Sequence, residues 1–231
     1  MVEQAVISAF LKDFRGVLYS KFAVFANLAK IRIHYYGEKL KMYKSYLDDM
    51  PKRNIGCVYH IDANRINAKQ KDANVNQLEK WHKNRVIFLE MSRTAYEEAG
   101  YGDLCRSEKT DDYTWMSSNA KWDGIDEFRV LIEDIVFPKG AKNQNEINDI
   151  SILLDAKMSN ATLVTNDGGS NRQKGGLLGN ANRLLSEVGI KVLNAEQAVK
   201  EVRDYILARD NIARNVAKAC GCGLPRWVGK D

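Results

Sequence analysis

From Gly56 onward the chain alternates between two hydrophobic periods. Short apolar runs read as strands at 56–61, 86–89, 161–165 and 190–193. Between them, apolar residues recur at three- and four-residue steps. Val75, Leu78 and Trp81 mark a helix over 72–83. Phe128, Leu131, Ile132 and Ile135 mark one over 125–137 that stops at Pro138. Ile147, Ile150, Leu154 and Met158 form the inward stripe of a helix over 145–159. Ser92 has the chemistry of an N-cap for a helix from Arg93 to Gly100, and Asn194 for a helix that starts at Ala195 and runs past residue 210. A further helix is expected over 180–188. Residues 101–122 are polar and carry no readable period, 168–179 is a glycine-rich loop, and the tail from Gly221 reads as loose. Alternating strands and helices predict an α/β three-layer sandwich around a central parallel sheet of four to five strands.

The amino-terminal residues follow the helical period alone. Ile7, Phe10, Phe14 and Val17 share a face, Leu18, Phe22, Phe25 and Leu28 continue the stripe, and Tyr35, Tyr36, Leu40, Tyr43 and Leu47 form another that ends before Pro51. The chain therefore divides into a helical extension over 1–55, a domain over 56–200, and a carboxyl-terminal helix and tail over 201–231. Charge sharpens this division. The net charge of +5 over 231 residues lies wholly in residues 1–56, which carry ten Lys/Arg against five Asp/Glu. The first fifty residues also hold nine of the aromatic side chains. Aromatics beside basic groups suit the stacking of single-stranded RNA. The same residues suit packing in a homo-oligomer or against a protein partner. The phenylalanines read as packing residues, while Tyr35, Tyr36, Tyr43 and Tyr46 among Lys39, Lys41 and Lys44 leave both readings open.

Composition excludes several classes. The chain is 45% hydrophobic and 28% charged, the proportions of an ordinary globular protein. No run of 18 apolar residues is present, and Lys12, Asp13 and Arg15 interrupt any signal-peptide core, so the cytoplasm is the expected compartment. Four cysteines fit reduced thiols. Cys220 and Cys222 lack the second ligand pair that a zinc site of this kind requires.

The candidate chemistry is carried by acids. Asp62 ends the first apolar run, Glu98 lies in the helix after the second, Asp149 opens a helix, and Asp167 ends the run Ala161–Asn166. Each has a plain reading by itself: Asp62 as a cap, Glu98 as a solvated residue, Asp149 as a first-turn acid and Asp167 as turn chemistry. Together they occupy the places where an open parallel sheet collects its functional groups, beyond the carboxyl ends of its strands. Carboxylates gathered there need a hard cation, and oxygen ligands suit Mg²⁺ or Mn²⁺.

In that order the residues resemble a PIN domain. Ile61-Asp62-Ala63-Asn64 is similar to the family's opening motif. Asn148-Asp149-Ile150-Ser151-Ile152-Leu153-Leu154-Asp155-Ala156 resembles its acid-bearing helix, and Thr165-Asn166-Asp167 resembles the end of its closing strand. Gly189-Ile190-Lys191-Val192-Leu193 is similar to its last strand. The resemblance covers about residues 56–200. It places a glutamate in the helix after the second strand, which counting from Ser92 assigns to Glu98, with Glu97 as the reserve.

The resemblance implies a metal-dependent nuclease, usually acting on RNA, with Asp62, Glu98, Asp149 and Asp167 as catalytic metal ligands. Asn64, Thr165 or Asn166 would orient waters or carboxylates. Arg172 and Lys174, directly after Asp167, read either as contacts to substrate phosphates or as ordinary loop charges. The expected activity is an endoribonuclease, free-standing or the toxin of a toxin–antitoxin pair. The helical extension departs from the compact toxins of the family. Two other readings remain open: a PIN-like scaffold that binds RNA or protein without cleaving, and a phosphatase or DNA-acting nuclease that uses the same metal logic.

Overall fold

The computed structural model describes residues 54–66, 69–100, 104–115, 124–168, 175–221 and 223–231. The expected helices over 1–50 and the loop residues Arg172 and Lys174 lie outside the described residues. Two compact units divide the chain, one spanning Cys57–Val202 and the other taking in Arg203–Asp231.

The Cys57–Val202 unit has the α/β architecture that the alternating periods predict. Its elements run β1 (Val58–Ile61), a single 3-10 turn (Ala63–Arg65), α1 (Ala73–Lys83), β2 (Phe88–Met91), α2 (Arg93–Gly100), α3 (Leu104–Thr110) and β3 (Thr114–Trp115). They continue with α4 (Ile125–Val136), α5 (Gln144–Met158), β4 (Thr162–Val164), α6 (Ala181–Arg183) leading into a π turn (Leu184–Val188), β5 (Val192–Leu193), and α7 (Ala195–Cys220), which extends into the second unit. The five strands are all parallel, in the order β3-β2-β1-β4-β5.

This order fixes where a site can form. Successive strands step outward from β1 through β2 to β3, and the chain then returns to β4 on the other side of β1. The direction of winding reverses between β1 and β4, which opens a crevice beyond their carboxyl ends. The two strands are in register from Tyr59 against Thr162 to Ile61 against Val164, and the Asp62 amide donates to the Val164 carbonyl at 3.0 Å. Asp62 and the residues after Val164 thus leave the sheet side by side.

Local chemistry accounts for most element boundaries. Asp72 caps α1 by accepting from the Asn74 and Val75 amides at 2.9 and 3.3 Å. The Ser92 hydroxyl accepts from the Ala95 amide at 3.1 Å and starts α2. Asn143 accepts from the Glu146 amide at 3.0 Å to start α5. Asn194 and Gln197 exchange backbone and side-chain bonds at 2.8 and 2.9 Å, a capping box that starts α7. Val75, Leu78 and Trp81 are buried, as their spacing predicts. On α5 the buried set is wider than one stripe, with Ile152, Leu153 and Ala156 joining Ile150 and Leu154.

Three expectations are corrected. The second strand begins at Phe88 rather than 86 and extends to Met91. Val86 and Ile87 are fully buried, but the Val86 amide bonds back to the Trp81 carbonyl, so these two residues finish the turn after α1. Residues 101–122, which carry no readable period, contain α3 and the short edge strand β3. The tail is not loose. Trp227 is buried, Arg209 stacks 4.4 Å from the centre of its ring, Gly229 donates to Asp210 at 2.7 Å, and Arg209 reaches Asp231 at 2.9 Å. No helix among the described residues is long and apolar enough to cross a membrane.

Candidate functional site

Asp62 occupies the position just beyond β1 and is 4% exposed. Its Oδ2 accepts from the Thr165 hydroxyl at 2.5 Å and from the Asn64 amide at 2.6 Å. The Asn64 amide also donates to Thr165 Oγ1 at 3.1 Å, and Asn64 Oδ1 accepts from the backbone amide of Asn166, again at 3.1 Å. Thr165 in turn accepts from the Asp167 amide at 3.0 Å. The two strand ends on either side of the crevice are therefore sewn together by Asn64 and Thr165, with Asp62 at the centre. Asn166 takes part through its main chain, and its side chain is exposed. Arg106 of α3 donates to the carbonyl of Ala63 and ties down the turn after Asp62.

Asp167 is held from the far side of the glycine-rich loop. Its Oδ2 accepts from the Leu177 amide at 2.7 Å and its carbonyl from the Leu178 amide at 3.0 Å. Gly176 is required where the loop returns: a Cβ there would overlap Asp167 Oδ2 and stand 2.7 Å from the Gly168 amide nitrogen.

The turn of α2 sends Glu97 and Glu98 to different partners. Glu97 pairs with Arg93 at 2.7 Å on the exposed side of the helix. Neighbouring helical residues point about 100° apart, and Glu98 accepts from the Asn148 amide of α5 at 2.6 Å. Asn148 precedes Asp149, so one turn of α5 presents an acid and also orients the acid of another helix. Asn148 was legible as a motif residue but not as a partner of Glu98, because nothing in its own surroundings points across to α2.

The electrostatics join all four acids. Burial pushes Asp62 up to about 6, and the charge of Glu98 adds to this, while the Thr165 hydroxyl and nearby backbone amides pull it back. Asp149 is pushed up to about 7, first by burial and then by the charges of Asp62, Asp167, Glu98 and Glu146. The hydrogen-bonding side chains on Asp62 are a hydroxyl and an amide, neither of them charged, and the charges that act on Asp149 are all negative. Such a set favours protons or a cation. The donors are all oxygens, which fits a hard divalent ion rather than a thiophilic one. No three acidic, histidine or cysteine side chains among the described residues already stand at metal-ligand spacing.

His60 lies one strand-face step behind Asp62 and is 1% exposed. Its Nε2 is 3.4 Å from Glu90 Oε2, opposite it in the β1–β2 register, and neither ring nitrogen makes a hydrogen bond. It belongs to the sheet interior, as a strand histidine would.

No family model matches the chain, and no curated protein matches it.

Proposed function

We propose that the chain is a PIN-like, Mg²⁺- or Mn²⁺-dependent nuclease acting on RNA. The observation that carries this reading is the grouping of Asp62, Glu98, Asp149 and Asp167. They come from four separate parts of the chain around the β1/β4 crevice; the charge of Glu98 adds to the raised affinity of Asp62 for a proton, and the charges of Asp62, Asp167 and Glu98 to that of Asp149.

In this reading Asp62 and Asp149 are the principal ligands, and Glu98 and Asp167 complete the pocket. Asn64 and Thr165 fix the carboxylate plane of Asp62, Asn148 aims Glu98, and the Leu177 amide fixes Asp167. A bound divalent ion would supply the Lewis acidity that favours hydroxide over water and neutralises charge on the phosphate oxygens. Asp62 and Asp149 would have to give up their protons to hold such an ion, so its affinity would fall on acidification. No histidine base is needed, in keeping with the burial of His60 inside the sheet.

The test is cleavage of labelled structured and unstructured RNAs with Mg²⁺ or Mn²⁺, with EDTA and Asp149→Asn as controls. Cleavage that both controls abolish is the expected result. Cleavage indifferent to both overturns the metal reading. Tight RNA binding without cleavage favours the scaffold alternative.

A further inference from the structure

The two units carry opposite charge. Residues 57–202 hold 19 Lys/Arg against 22 Asp/Glu, a net charge of −3, whereas 203–231 hold six against three, a net charge of +3. In the second stretch the fold also sorts the charges by sign. Asp210 and Asp231 have buried side chains, and both accept from the buried Arg209, at 2.7 and 2.9 Å. One guanidinium thus serves two carboxylates. The other five cations, Arg203, Arg214, Lys218, Arg226 and Lys230, are all exposed, with Asp204 as the exposed acid among them. None of the five is in an ion pair among the described residues.

The period of α7 gathers three of these cations on one face. Ile206, Arg209, Ala213 and Ala217 are buried. Arg203, Leu207, Asn211, Arg214 and Lys218 are exposed at steps of three and four, so they form a single outward stripe. From Arg203 to Lys218 that stripe runs about 22 Å, at about 1.5 Å per residue. Arg214 donates to Asn211 at 3.1 Å, which keeps its guanidinium on the stripe. The tail meets it there: a Cβ at Gly229 would stand 3.8 Å from Arg214 Nη2, which places the backbone just before Lys230 beside the stripe.

This surface fits a phosphate backbone. A helix lying on a lipid surface turns its apolar face outward, but Ile206, Ala213 and Ala217 face inward and Leu207 stands among polar groups. Trp227 is buried and Tyr205 half-buried, so the stretch offers no exposed aromatic platform for bases among its described residues. Cations without such a platform hold phosphates and carry no sequence information. We propose that the outward stripe of α7, with Lys230 beside it, is a docking surface for the backbone of RNA. Naming RNA as the polyanion rests on the nuclease reading. The acids of the crevice repel any polyanion, and a separate basic surface supplies the attraction that they cannot.

The test uses the full chain and fluorescent oligouridine and oligoadenosine, with binding followed by anisotropy over a salt series in EDTA. Arg214→Glu combined with Lys218→Glu is expected to weaken binding of both probes about tenfold. The slope of log affinity against log salt should flatten by about 0.7 for each phosphate no longer held. Arg203→Gln combined with Lys230→Gln is the milder second variant and is expected to act in the same direction, with folding of both checked by circular dichroism. Lys80→Glu combined with Arg129→Glu, exposed reversals in the first unit, controls for total charge. Unchanged affinity in both tail variants, an equal loss in the control, or a loss confined to one probe overturns the surface. So does binding to vesicles rich in phosphatidylserine that the tail variants abolish while RNA affinity stays the same. Cleavage assays with Mn²⁺ separate this surface from the nuclease reading. RNA binding that depends on the tail without any cleavage keeps the surface and sinks the nuclease. Metal-dependent cleavage whose KM is indifferent to both tail variants keeps the nuclease and sinks the surface.

Discussion

Asp62 and Asp210 are buried to nearly the same degree, 4% and 3% exposed, and the protein treats them in opposite ways. Asp210 has a guanidinium against it, with Arg209 Nε and Nη2 at 3.0 and 2.7 Å from its Oδ1, and its other oxygen accepts from Gly229. Asp62 has a hydroxyl and an amide, Glu98 acts on it with its own sign, and the Arg65 guanidinium within its field is paired directly with Asp72 instead. This chain can neutralise a buried carboxylate internally, and it does so where the carboxylate holds structure together. At the β1/β4 crevice it leaves the negative charge without such compensation. Buried charge without a partner is costly. Its occurrence at the crevice, in a chain able to pair such a charge directly elsewhere, is what supports the proposal of a cation there.

The comparison breaks most visibly at Arg209. Arg209→Ala leaves Asp210 buried with one amide for company, and the expected loss is about 3–5 kcal/mol of stability, read by urea denaturation. A loss below about 1 kcal/mol would mean that Asp210 is not held by charge pairing. The acidic centre should respond in the other direction. Asp149→Asn is expected to reduce metal-dependent cleavage by about 10²–10³-fold while raising the melting temperature of the metal-free protein. A variant both inactive and less stable would make Asp149 a structural residue instead.

The pH dependence sharpens the same contrast. An ordinary aspartate loses its proton near 3.8, whereas in the folded chain Asp62 keeps it up to about 6 and Asp149 up to about 7. Between these values the native state binds more protons than the unfolded one. Their contribution to stability is therefore lost as pH rises from about 4 to about 7, and is flat beyond. Denaturation of the metal-free protein should show this decline, and Asp149→Asn should show less of it. Saturating Mn²⁺ should offset the decline as pH approaches 7, because the ion takes the place of the departing protons. An identical profile with and without Mn²⁺ would count against a cation site.

Smaller effects test the supports. Thr165→Val takes a donor from Asp62 and is expected to weaken Mn²⁺ binding about 10–100-fold, measured by calorimetry. Glu97→Gln breaks only the exposed pair with Arg93. It should change stability by less than about 0.5 kcal/mol and leave cleavage unchanged, whereas Glu98→Gln should not.

Much of this was legible in the sequence because the signals were local. N-caps at Ser92 and Asn194 and the Val75-Leu78-Trp81 stripe each need only their own neighbours, and each formed where the pattern put it. Asp62 and Asp167 were legible because strand ends are where a parallel sheet exposes its functional groups, whereas Asp149, which was expected to open its helix, lies past the first turn of α5 and was legible only through the motif it resembles. What was hidden depends on distant partners. The start of β2 is set by pairing with Val58, not by the apolar run that begins at Val86. The pairing of Asn148 with Glu98 spans two helices. The ordered tail depends on a stack between Arg209 and Trp227 that no periodicity encodes. The Arg65–Asp72 pair, seven residues apart, reads as two ordinary loop charges until the chain turns them together.

Gly176 makes the loop after Asp167 resemble a buckle rather than a strap. The acid is the tongue, gripped by the Leu177 amide, and the missing side chain is the slot it passes through. A single methyl group at position 176 would have to push the carboxylate and the Gly168 backbone aside at once. The smallest possible side chain at this position would therefore unfasten the acid that the returning chain holds.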